Sequence, residues 1–234
     1  MSKRLEVVLD KSYLQSASKA AIHDLCRSFR VIMPGALFFE LLTTSELDER
    51  RRAFAKIPTG VNPVEIVEHV GKLMRFEIRN GKPSPSLYER RNRWLFEFNE
   101  KLATGTFQPT QQHLLGISSW QKQIEEQVDV LRKTVATTHL SFPEISNASP
   151  RKDKLDGRWA FFRWMQVDLL ASLDHVVRYG VGSDLSNARD LDNEVADLQY
   201  RIMGALAGGI ATEDKKSKEV FRLLRPDGLL ICQA

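Results

Sequence analysis

Cysteine is scarce in this chain of 234 residues, which has two, Cys26 and Cys232. Their spacing suits no metal-ligand pair and suggests no disulfide framework, so a reduced, intracellular setting is expected. Long apolar runs are also missing. None approaches the roughly 20 residues that span a bilayer. The basic Met1-Ser2-Lys3-Arg4 is followed only by a short β-like apolar run, too short for a signal-peptide core. The expected location is the cytoplasm, with no membrane partner. His23, His69, His113, His139 and His175 show no close ligand spacing, which argues against zinc. No Gly-x-x-x-x-Gly-Lys loop is present, so P-loop phosphate binding has no support. There is no internal repeat and no low-complexity tract.

What is present is an ordinary globular balance, 42% hydrophobic and 27% charged. The length fits one large domain, or a core domain with a sizeable insertion. Net charge is +4 and is unevenly spread: Ser45 to Arg158 carries 19 Lys/Arg against 15 Asp/Glu, and Trp159 to Ala234 carries 9 against 11. A basic middle beside an acidic C-terminal part suits a metal enzyme acting on a polyanion. An ordinary solvated surface would give the same numbers.

The apolar periods predict a short buried strand over Leu5–Leu9 ending at Asp10, a helix over Tyr13–Arg27 and a strand over Phe29–Met33. Pro34 then opens a helix carrying Ala36 to Leu42. This β-α-β-α start points to a parallel sheet. From Ser45 to Gly180 the periods are helical with no convincing strand. Asn62-Pro63-Val64-Glu65 reads as a helix start, Ser141 to Pro150 as a loop, and Trp159 to Tyr179 as a helix. Leu191, Val195, Leu198 and Ile202 predict an amphipathic helix capped by Gly208-Gly209. Ile210-Ala211-Thr212 follows as a short strand, Lys215–Leu224 as a helix and Gly228–Cys232 as a last strand. The expected fold is α/β: a discontinuous sheet domain from residues 1–44 and 181–234, and a mostly helical insertion over 45–180 whose last helix packs on the core.

Acidic residues stand out by position. Asp10 lies at the carboxyl end of the first strand, the edge where parallel sheets bind ligands, and Ser12 beside it can offer a hydroxyl. Glu40 sits among Phe38, Phe39, Leu41 and Leu42, where a buried carboxylate needs a partner; on a solvent-facing side it would need none. Asp190, Glu194 and Asp197 share one helical face, where like charges repel and a cation would relieve them. Such a stripe can equally be a solvated face with Arg201 one turn on. Thr212-Glu213-Asp214 places Asp214 just after a strand.

In their order these motifs resemble the PIN domain nuclease family. They are Val7-Val8-Leu9-Asp10-Lys11-Ser12, the stretch from Met33 through Glu40 to Leu42, Asp197-Leu198-Gln199-Tyr200, and Ala211-Thr212-Glu213-Asp214. The tail from Phe221 to Ile231 resembles the family's last helix and strand. The resemblance covers about 100 residues at the two ends and departs in the long middle segment. It implies a PIN-like three-layer fold with a central parallel sheet. It also implies a hydrolase, a metal-dependent nuclease and more specifically a ribonuclease acting on single-stranded or structured RNA. Asp10, Glu40, Asp197 and Asp214 would be the catalytic and metal-binding acids. Ser12, Glu194 and Thr212 would support them. Hard oxygen donors select Mg²⁺ or Mn²⁺.

In the middle segment Arg75, Arg79, Arg90, Arg91 and Arg93, near Phe76, Tyr88 and Trp94, suit phosphate contacts. They are the expected RNA-binding residues, although Trp94 reads better as core. The rival expectation is a catalytically silent PIN-like RNA-binding or scaffold module. A homodimer or a regulatory protein partner stays open.

Overall fold

In the computed structural model, residues 4–43, 47–58, 63–87, 155–180 and 189–233 are described. Five parallel strands form one sheet: β1 (Glu6–Leu9), β2 (Arg30–Met33), β3 (Glu65–Ile66), β4 (Gly209–Ala211) and β5 (Leu229–Ile231), in the order β3-β2-β1-β4-β5. Eight helices lie among the described residues: α1 (Lys11–Ser16), α2 (Lys19–Ser28), α3 (Gly35–Thr43), α4 (Leu47–Ala55), α5 (Val70–Asn80), α6 (Ala160–Tyr179), α7 (Arg189–Ala207) and α8 (Lys215–Leu224). The fold is α/β, and its order is consistent with three layers. None of these helices is long and apolar enough to cross a membrane.

Val7, Val8 and Leu9 of β1 and Val31, Ile32 and Met33 of β2 are all buried. Such unbroken apolar runs are what a parallel sheet covered on both faces demands. Strand β1 is central. It pairs with β2 through Val7 opposite Val31, and with β4 through Leu9 opposite Ala211. Pairing with β4 depends on Gly209, because a Cβ there would stand 2.8 Å from the Glu6 carbonyl oxygen. Gly208, at φ +85°, ends α7 in the left-handed region that glycine enters without strain. The expected double-glycine cap is therefore one cap, and its second glycine begins a strand.

Two local expectations fail for identifiable reasons. The helix expected over Tyr13–Arg27 is two helices, because Ala17 is extended and the Ser18 side chain caps a new start by accepting from the Ala21 N–H at 3.1 Å. The helix start expected at Asn62-Pro63 is not there. Glu65 and Ile66 pair with Ile32 and Met33 as β3, and the helix begins only at Val70. A strand thus lies within 45–180, where none was expected. Val64, Ile66, Val70, Leu73, Ala160, Val167 and Ala171, from the same span, join one core with the strands. Helix α6 packs on α7 and α5. The loop expected at Ser141–Pro150 lies outside the described residues.

Candidate functional site

The sheet steps from β1 through β2 to β3 on one side, then restarts on the other side of β1 with β4 and β5. At this reversal the connections leave β1 and β4 in opposite directions, the arrangement that in open parallel sheets makes the carboxyl ends of those strands the usual crevice for a ligand. Asp10 follows β1 there, and Thr212 to Asp214 follow β4.

The two chain segments interlock through hydroxyls. Thr212 donates to Asp10 Oδ2. With its only proton committed, Thr212 Oγ1 accepts from the Ser12 hydroxyl at 3.1 Å. Ser12 Oγ in turn accepts the backbone N–H groups of Glu213 at 3.0 Å and Asp214 at 3.2 Å. Asp10 Oδ1 accepts from the Ser12 N–H at 3.2 Å and caps α1, while Asp214 Oδ1 accepts from the Ser217 N–H at 2.6 Å and caps α8. Burial pushes the Asp10 carboxyl above its ordinary value; the Thr212 and Ser12 hydrogen bonds oppose that, and Asp214 adds to it.

Asp197 comes from α7. Burial pushes its carboxyl up to about 7, Arg201 opposes the rise, and the charges of Asp10, Glu194 and Asp214 add to it. Those four acids are therefore within electrostatic reach of one another. Glu40, on α3, accepts a hydrogen bond from the Tyr200 hydroxyl, and Lys11 approaches it at 3.5 Å. Tyr200 is buried and holds its proton well above the ordinary range, through burial first and Glu40 second. Asp10 and Asp197 also act on that hydroxyl. Glu40 thus joins the same edge through Tyr200 and does not face open solvent.

No family model matches this chain, and no curated protein or solved structure matches it.

The acids are not left uncompensated. Arg201, which the alternative reading of the stripe put on a solvated face, is 1% exposed. Its Nη1 donates to Glu194 at 2.5 Å, its Nη2 to Asp197 at 3.2 Å and its Nε to Ser217 Oγ at 3.2 Å. Lys216 binds the other Glu194 oxygen at 3.0 Å and Asp174 of α6 at 2.8 Å. The side chains of Asp190 and Asp192 lie outside the described residues. Among the described residues, no three Asp, Glu, His or Cys side chains form a ready-made metal cage.

Two of the expected RNA contacts lie among the described residues. Arg75 and Arg79 are exposed on α5. That helix starts just after β3 at the carboxyl edge and runs back from it, so Arg79 is about 14 Å along the axis from its first residue. Near that far end, Glu77 meets the start of α6. Arg90, Arg91 and Arg93 lie outside the described residues. Within the edge itself, Lys11 is the cation that sequence inspection passed over, although its place beside Asp10 could have signalled it.

Proposed function

We propose that the chain is a PIN-like metal-dependent nuclease that hydrolyses phosphodiester bonds, with RNA as its substrate and Mg²⁺ or Mn²⁺ as its cofactor. The observation that carries this reading is the meeting of Asp10 and Asp214 at the crevice between β1 and β4, joined by the Ser12–Thr212 hydroxyl pair. The donors are carboxylate and hydroxyl oxygens, which suit a hard divalent cation. Mg²⁺ is commonly held by one or two carboxylates and keeps several waters. Two acids at the crevice suffice as its anchor, with Asp197 and Glu40 acting through water.

When bound, the cation would stabilise charge on the transferring phosphate as a Lewis acid. The chain's own residues do the rest. Ser12 and Thr212 fix the Asp10 carboxylate. Tyr200 fixes one Glu40 oxygen, and Lys11, at the mouth of the site, offers a positive charge to the substrate backbone. The test is incubation of the full chain with labelled single-stranded RNA and DNA, in MnCl₂ and in EDTA. Cleavage should require Mn²⁺. It should fall at least about a hundredfold in Asp10→Asn, whose amide oxygen can still cap α1. Equal rates for the two proteins would end the proposal.

One observation favours a second reading, a silent RNA-binding or scaffold module. Arg201 and Lys216 already neutralise Glu194 and Asp197, and Asp10 and Asp214 serve as helix caps. Retained RNA binding with no cleavage in any divalent cation would select it.

A further inference from the structure

We infer that Arg201 is the resident second cation of this site and limits it to one bound divalent ion per chain; the inference rests on the nuclease reading above. Arg201 follows Asp197 by one helical turn and Glu194 by two, so the three side chains share one face of α7. The guanidinium is buried among acids: 2.5 Å from Glu194, 3.2 Å from Asp197 and 4.0 Å from Asp214 Oδ1. A charge removed from water is tolerated only when its partners surround it, and here three carboxylates and the Ser217 hydroxyl do so.

Two-metal sites hold their ions about 3.5–4 Å apart between shared carboxylates. Between Asp197 and Asp214, a second ion would need the space that the guanidinium fills. It would also meet that fixed positive charge at close range in a partly dry site. Glu194 offers no way round, because each of its oxygens already holds a cationic side chain, Arg201 on one and Lys216 on the other. Among the described residues, what remains as a direct anchor for an ion is Asp10 with the Asp214 oxygen that does not cap α8.

The test counts ions by electron paramagnetic resonance during titration of the full chain with MnCl₂. Wild type should take up one Mn²⁺ per chain, and Arg201→Met should take up two. Glu194→Gln should keep the wild-type count of one, because Glu194 serves Arg201 and Lys216 and not the ion. Two ions on wild type would overturn the inference and leave the nuclease reading standing. No ion on wild type would remove both. One ion on folded Arg201→Met would overturn it as well; should that variant fail to fold, Arg201→Gln is counted in its place, and loss of the ion in Glu194→Gln, which would make Glu194 a ligand, also overturns the inference.

Discussion

Glu77 offers the sharpest test of how the helices are held. Its carboxylate is fully buried on α5, yet no cation among the described residues partners it. It accepts three backbone N–H groups instead: Ala160 at 2.7 Å and Ser84 at 3.1 Å on one oxygen, and Phe161 at 2.9 Å on the other. Two of these belong to the first turn of α6, which has no side-chain cap from Trp159. The carboxylate therefore serves as that helix's N-terminal acceptor, where the helix dipole favours negative charge. In Glu77→Ala the Ala160 donor, in dry surroundings, has no substitute, which costs about 1–3 kcal/mol. Phe161 and Ser84 are partly exposed and recover some hydrogen bonding from water. The cavity adds to the loss, and release of a desolvated charge offsets part of it. A net loss of about 3 kcal/mol is expected, lowering Tm by about 6–12 °C for a chain of this size. Glu77→Gln keeps the volume but turns an amide NH₂ toward one of the donors, so it should recover less than half of the loss. Urea and thermal denaturation would measure both variants, and hydrogen exchange should speed up at Ala160 and Phe161. If Glu77→Ala unfolds within about 0.5 kcal/mol of wild type, the N-terminal acceptor role is wrong.

Three further outcomes are expected. Asp197 and Asp168 have carboxyls raised by burial from 3.8 to about 7 and about 6. The folded chain therefore holds these protons more tightly than the unfolded chain does. Their stabilising contribution is complete below about pH 4 and is lost as pH rises toward 7. In EDTA the slope of Tm against pH across that window should be less negative in Asp197→Asn than in wild type; an unchanged slope would refute the assignment. Ser12→Ala removes the acceptor of the Glu213 N–H and one of the two acceptors of the Asp214 N–H, the other being Thr212 Oγ1, and should cost about 1–2 kcal/mol in urea denaturation, whereas an unchanged midpoint would show that the interlock is dispensable. Asp10→Asn should melt in EDTA close to wild type but lose the Tm gain that MnCl₂ gives wild type by mass action, and an equal gain in both proteins would exclude Asp10 as an anchor.

Much of the sheet was legible because its strands are unbroken apolar runs and its helices have strong periods. Lys215–Leu224 is the helix that its pattern predicts, bounds included. Asp10, Ser12, Thr212 and Asp214 could be found because each sits at a strand end, and strand ends are local. Strand β3 could not be found, since two residues carry no period and only pairing with Ile32 and Met33 makes them a strand. Helix signals at Asn62 to Glu65 were overridden by that pairing. The two readings of the acidic stripe beside Arg201 could not be separated, because spacing along a helix gives the face a charge occupies and not what packs over it. Glu77 was invisible for a related reason: its partners at Ala160 and Phe161 are backbone groups, which no side-chain pattern announces, and they lie 83 and 84 positions away.

The Ser12–Thr212 bond joins residues 200 positions apart, and this imposes an order of events on the making of the protein. Chains emerge from the ribosome N-terminus first. Asp10 and Ser12 are thus made long before β4, the strand that must lie beside β1. Until residue 214 has been added, the nascent chain carries one lip of the crevice without the other. Pairings of such long range are also slow to form. If the chain cuts RNA, a nascent chain that has not reached residue 214 lacks half of the proposed site, and the transcript that encodes it is out of danger until that residue has been added.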